Sequence, residues 1–210
     1  MTEPEGVIQY HLDFEPGLGD DFPAFAEVNA WRTLLHQLGL IGQDPKRYQG
    51  LGFGNMSFRL NDGSQFVITG SQTGELSQLS KAHYSTVLQA DPRRNYLKAV
   101  GACKPSSEAL THAAVYASDS RVKAVIHVHS PQIWRNFQPL NIPAIDATIG
   151  YGTPAMAEAV SNLFELRLLD AKPIFAMLGH EDGIIAFGHS ITEASLTLIK
   201  RLALALQISA

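Results

Sequence analysis

Apolar and polar positions follow two rhythms along this chain. A period near 3.6 residues places Phe25, Val28, Leu35 and Leu38 on one face, with Asp21 and Pro23 to open a helix and Gly39 to stop it. "NMSFRLNDGSQFVITG", residues 55–70, reads instead as two strands joined by a turn at Asn61-Asp62-Gly63, a strong hairpin signal. "SKAHYSTVLQA", residues 80–90, reads as a helix ending before Pro92. Thr153-Pro154 supplies an N-cap and a proline at the first helical position, ahead of Ala157, Val160, Leu163 and Phe164. Ser190 and Glu193 make a capping box ahead of Leu196, Ile199, Leu202 and Leu206. Between these two helices, "PIFAML" and "GIIAF" read as buried strands joined by "GHEDG". Strands and helices mix without a repeat or a linker. The pattern predicts one α/β domain over residues 21–210, behind an arm over residues 1–20 that is rich in Gly, Pro and acidic residues.

Composition narrows the function classes. The 210 residues can bury a sizeable core, and 45% hydrophobic with 17% charged residues is ordinary for a folded protein. Net charge is −4 and no run of Lys or Arg exceeds two, so no electrostatic footprint for nucleic acid is present. The N-terminus lacks the apolar core of a secretory signal, and no 18-residue apolar run exists to span a bilayer. Cys103 is the one cysteine, which rules out an intrachain disulfide and fits a cytoplasmic location.

The chemistry concentrates in "AVIHVHSP", residues 124–131. Alternation along a strand puts His127 and His129 on the same face of an otherwise apolar segment. They could be polar residues with separate partners. Burying two imidazoles together, however, is costly unless something pairs with both, and one divalent ion could do so. A third ligand is needed. His180, in the turn after an apolar strand, is the first candidate; its plain alternative is a solvent-facing turn histidine. His189 ranks second and Asp182 third. "KPSSEALTHAAVY", residues 104–116, begins a helix at Pro105, Ser106 and Ser107, with Glu108 in its first turn. Free helix N–H groups with two hydroxyls suit an anion, and Glu108 would stand beside it. Otherwise Glu108 would only complement the helix dipole and pair with His112 at i+4.

"GNMSFR" (54–59), "FVITGSQTG" (66–74), "PSSE" (105–108) and "AVIHVHSP" (124–131) resemble, in order and spacing, the class II aldolase/adducin family. The resemblance covers roughly residues 25–205. It implies a three-layer α/β/α sandwich around a mostly antiparallel sheet, assembled as a homotetramer with active sites between subunits. It places a divalent metal, Zn²⁺ first and Mn, Co, Ni or Fe as alternatives, on His127, His129 and His180. Glu108 falls on the family's acid/base position. Gly54, Asn55, Ser71, Thr73, Gly74, Ser106 and Ser107 fall on positions that hold the phosphate of a small anionic substrate. The implied activity is aldolase-type cleavage through an enediolate. Epimerisation of a pentulose phosphate, dehydration and decarboxylation are possible on the same scaffold, as is a non-catalytic adducin-like module.

Three features depart from the fuculose-phosphate aldolase pattern. The proton-donating tyrosine two residues beyond "IPAI" is replaced by Ala147, with Tyr151 close by in sequence. The third-ligand turn reads His-Glu-Asp-Gly. A C-terminal tail that covers the site in some relatives is expected to be missing, while the N-terminal segment is an addition.

Overall fold

The computed structural model describes residues 7–18, 22–61 and 63–208; Asp21 and Asp62, on which two of the sequence signals rest, lie outside the described residues. Its strands are β1 (His11–Pro16), β2 (Gly42–Gln43), β3 (Gly52–Phe53), β4 (Asn55–Arg59), β5 (Phe66–Thr69), β6 (Tyr84–Asp91), β7 (Tyr96–Gly101), β8 (Ala124–His129), β9 (Ala144–Ile145), β10 (Ile174–Met177) and β11 (Gly183–Gly188). Its helices are α1 (Phe25–Gln37), α2 (Ala109–Ser118), α3 (Pro131–Arg135), α4 (Pro154–Glu165) and α5 (Ile191–Ile208). Among the described residues, nine strands form one sheet in the order β1-β7-β6-β5-β4-β8-β11-β10-β9, and β2 pairs with β3 apart from it.

Only the outermost pairs of the large sheet, β1 with β7 and β9 with β10, run parallel. The inner strands are antiparallel, and helices cover both faces of the sheet. Helices α2 and α4 cover one face, where Ala109, Val115, Met156 and Val160 join Val125, Phe175 and Ile185 in one core. Helices α1, α3 and α5 cover the other, where Val28, Ile133 and Leu198 join Met56, Ile126 and Ile184. This is the three-layer α/β/α architecture expected. No helix among the described residues is long and apolar enough to cross a membrane.

The structure corrects three local expectations. First, part of the stretch read as an arm is strand β1. Leu12 and Phe14 pack on the core while His11, Asp13 and Glu15 face out, and Tyr10 just before them is buried. Second, residues 80–90 are not helical: Lys81–His83 make one 3₁₀ turn, and Tyr84 then begins β6. Tyr84, Thr86 and Val87 suit a strand, and β6 is paired on both sides, with β5 and β7. Third, α5 turns a different face inward. Ile191, Ala194, Ser195, Leu198 and Ala205 are buried, whereas Leu196, Leu204 and Leu206 are exposed. Large apolar residues also stand on its outer face, at Leu196, Leu204 and Leu206, so their positions alone do not mark which face is inward. Its cap is also shifted: Ser190 Oγ accepts from Glu193 N–H at 3.1 Å, but the Glu193 carboxylate accepts from His189 N–H at 2.7 Å, one residue early. At α4, Thr153 caps as expected, accepting from Met156 N–H.

Candidate active site

Strand β8 lies between β4 and β11, with His127 opposite Asn55 on one side and Ile185 on the other, and His129 opposite Gly183. Val125 packs in the core under α2 and α4, while Ile126 and Val128 pack in the opposite core. Alternation therefore sends His127 and His129 to the α2/α4 face. Both are fully buried. His180, 5% exposed, enters from the turn between β10 and β11. One ligating atom from each of the three rings lies within 4.8 Å of the others.

The rings have the character of metal ligands. Burial, reinforced by His180, holds His127 and His129 well below the usual histidine pKa, so both are neutral. His127 Nδ1 lies 3.3 Å from the Ile184 carbonyl oxygen, which can only accept, so Nδ1 carries the proton and Nε2 keeps its lone pair. That Nε2 faces His129 Nε2 at 3.1 Å. Two imidazole nitrogens on one tetrahedral zinc would stand about 3.3 Å apart. The residues present therefore fit a divalent ion.

Glu108 is fully buried at the N-cap of α2, one position before the first helical turn in which the sequence placed it. Thr111 Oγ1 donates to its Oε2 at 3.0 Å, and its Oε1 lies 3.4 Å from His180 Nδ1. The carboxylate thus adjoins the histidine cluster. His112 does not turn to Glu108: its Nδ1 meets Ser57 Oγ at 2.7 Å, its Nε2 is buried without a hydrogen-bond partner, and burial lowers its pKa to about 3.

All seven residues expected to hold an anion line one pocket: Gly54, Asn55, Ser71, Thr73, Gly74, Ser106 and Ser107, joined by Gly52, Gly70 and Gln72. It encloses about 280 Å³ including its open mouth. Glycine is required where the 71–74 turn crosses the β2–β3 pair, because a β-carbon on Gly74 would lie 2.8 Å from Gly52 Cα. Asn55 Oδ1 is buried here without a hydrogen-bond partner. A pocket built of amides and hydroxyls at a helix start suits an anion without needing a fixed cation.

The remaining candidates fall outside the cluster. His189 is largely exposed and pairs with Glu193. Asp182 accepts a hydrogen bond from Tyr48. Ala147 is exposed in the loop after β9. Sequence reasoning missed Arg32, buried in α1, which donates to the carbonyls of Thr73 and Leu76 and so holds the pocket's 73–76 turn. It also missed Tyr10, whose hydroxyl donates to Ser106 O at 2.8 Å. Tyr151 was left without a role. Its ring stacks on His180 at 4.6 Å between centroids.

A mixed sheet between helical layers, with a buried three-histidine centre that could hold a divalent ion, defines a class of protein. The chain belongs to the class II aldolase family: the model of the Class II Aldolase and Adducin N-terminal domain matches residues 44–205. It is 31% identical over 188 residues, 79% of this chain and 80% of the other, to 3-oxo-tetronate 4-phosphate decarboxylase of Haemophilus influenzae. Among solved structures it is similar to YgbL of Escherichia coli, for which aldolase, epimerase or decarboxylase activity is suggested but not assigned, with a TM-score of 0.66, 22% identity and coverage of 87% and 86% of the two chains. The L-fuculose-1-phosphate aldolase of Thermus thermophilus superposes with a TM-score of 0.60 at 18% identity, covering 88% and 92%. At such identities these structures speak for the fold.

Proposed function

We propose that the protein is a divalent-metal-dependent lyase that breaks a carbon–carbon bond near the carbonyl of a small anionic keto-sugar or keto acid, with a phosphate as its anionic handle. The observation that carries this reading is the convergence of His127, His129 and His180 on one point, with Glu108 Oε1 3.4 Å from His180 Nδ1. Cleavage leaves the bond's electron pair on the carbonyl oxygen, as an enediolate. An ion held by the three histidines, zinc first among the metals such a set accepts, would supply Lewis-acid stabilisation of that charge. Glu108 moves the proton. Thr111 fixes its Oε2, leaving Oε1 as the oxygen on the histidine side. Amides and hydroxyls of the 52–55, 70–74 and 106–107 segments hold the phosphate and so orient the carbonyl. Assembly as a homotetramer, measurable by light scattering, belongs to the same proposal.

Within this class, decarboxylation of a phosphorylated keto acid is favoured over aldol cleavage by the 31% identical relative and by Ala147. Aldol cleavage needs a base for the hydroxyl proton of the departing aldehyde and an acid for the enediolate carbon. Loss of CO₂ needs only the second. One buried carboxyl group, protonated when the carbanion forms, can provide it and returns to the carboxylate.

The test is elemental analysis of protein purified without chelator, beside His129→Ala, followed by assays for CO₂ release from phosphorylated keto acids and for aldehyde release from ketose phosphates. About one metal ion per wild-type chain, lost in the variant, with turnover in either assay, is expected. Wild-type protein that takes up no metal after loading with Zn²⁺ or Mn²⁺ would overturn the reading.

A further inference from the structure

Residues 47–50 are accounted for by neither the histidine cluster nor the anion pocket. Tyr48 and Gln49 both adopt the left-handed backbone conformation, with φ of 46° and 59°, and Gly50 follows at 76°. Non-glycine residues persist there only where their surroundings hold them. For Tyr48 the surroundings are the histidine cluster. The Tyr48 ring stands edge-on to His129, with 4.5 Å between centroids and an interplanar angle of 68°, and edge-on to Phe53 at 5.1 Å. Its hydroxyl donates to Asp182 Oδ2 at 2.6 Å.

Asp182 is 5% exposed and itself left-handed, at φ 61°, in the turn that carries His180 two residues earlier. Its carbonyl accepts from Ser130 N–H at 2.9 Å, immediately after β8. Arg47 completes the arrangement. Its guanidinium lies 4.8 Å from the centroids of both the Tyr48 and Phe53 rings, donates to the Tyr48 oxygen, and stands 3.9 Å from Asp182 Oδ2. With a cation on its oxygen and a carboxylate accepting its proton, the phenol has one favourable orientation. A single side chain therefore spans from the ring of one ligand to the turn of another.

We propose that Tyr48 is a positioning residue for the metal centre, fixing the His129 ring by its edge contact and the His180 turn by its hydrogen bond to Asp182. This rests on the reading that the three histidines hold a divalent ion. Groups one step removed from metal ligands typically change metal affinity by about 10–100-fold when lost.

The experiment titrates metal-free protein with Co²⁺, followed by visible absorption and by competition with a chelator, for wild type, Tyr48→Phe, Asp182→Ala, Asp182→Asn and the Tyr48→Phe/Asp182→Ala pair. Tyr48→Phe keeps the ring and removes the hydrogen bond, and should weaken Co²⁺ binding roughly 10–100-fold with the metal-free melting temperature unchanged. Asp182→Ala should weaken Co²⁺ binding to the same degree, with a lower metal-free melting temperature because an alanine at φ 61° is strained, and the double variant should bind no worse than the weaker single. Asp182→Asn retains an acceptor oxygen and should recover most of the affinity. The inference is overturned by unchanged affinity in Tyr48→Phe. It is equally overturned if Asp182→Asn is as damaging to affinity as Asp182→Ala, or if the affinity lost in Tyr48→Phe tracks a lower metal-free melting temperature. Wild-type protein that takes no Co²⁺ would remove the metal reading itself, and this inference with it.

Discussion

Replacing Gly54 with alanine should destabilise the protein by an amount that can be worked from its surroundings. Gly54 joins β3 to β4 at φ 74°, and a β-carbon there would lie 2.9 Å from Ile41 Cγ1 and 3.1 Å from both Ile41 Cα and His127 O. The Ile41 side chain can swing away. His127 O cannot move without shifting the central strand that carries the histidines, nor Ile41 Cα without shifting the backbone that leads into β2. The left-handed conformation costs an alanine about 1–2 kcal/mol, and overpacking a tight site adds about 1–3 kcal/mol. The sum is about 2–5 kcal/mol. For a chain of this size each kcal/mol lowers the melting temperature by roughly 2–4 °C, so a fall of roughly 4–20 °C is expected. Calorimetry of Gly54→Ala in chelator, beside metal-free wild type, measures it without a contribution from the ion. Adding Ile41→Ala would relieve only the contact with Cγ1 and should not restore stability. A fall of less than about 2 °C would refute the reasoning, since the turn would then accept a side chain by a small adjustment.

Three further outcomes follow from the site. Glu108→Gln should lower turnover by about 10²–10⁴-fold while metal content and melting temperature hold, by steady-state kinetics and elemental analysis; full turnover would remove Glu108 from proton transfer. Stripping the metal should lower the melting temperature, because an ion at 100 times its Kd adds about 2.7 kcal/mol, and a chelator-insensitive melt would count against the centre. Stability of the metal-free protein should fall with pH below about 6.5. His112 is held near pKa 3 by burial, so the unfolded chain takes up a proton in that window and the folded chain does not. The loss from this one group is about 2 kcal/mol by pH 5, and His127 and His129 act in the same sense. Melting curves at stepped pH should show a shallower fall in His112→Gln; an unchanged slope would mean that His112 does not titrate as its burial requires.

How much of this was legible in the sequence depended on how local each signal was. His127 and His129 announced themselves because strand alternation is a two-residue rule, and Thr153-Pro154 because a cap needs only its own turn. Residues 80–90 misled because Lys81, Ala82 and His83 do begin a helical turn, while the pairing that makes a strand of Tyr84–Asp91 comes from β5 and β7. Strand β1 alternates clearly in His11–Glu15, but the strand it pairs with lies some 85 residues away, at Tyr96–Val100. Motif order brought together the seven pocket residues, yet Arg32 and Tyr48 reach the site through tertiary contacts and carry no motif. Nothing near Arg32 in sequence points to the Thr73 carbonyl it serves.

Strand β8 is hydrogen-bonded on both sides, to β4 and β11, and all six of its residues are buried. Amide hydrogens of such a strand are released to solvent only when the whole sheet comes apart. Losing the ion should therefore leave deuterium uptake at Val125–Val128 as slow as before, and should quicken it in the turns around His180 and Tyr48. The empty centre is then a rigid receptor on its strand side and a yielding one on its loop side. Metal would enter and leave by way of the loops, at a rate set by how often they open.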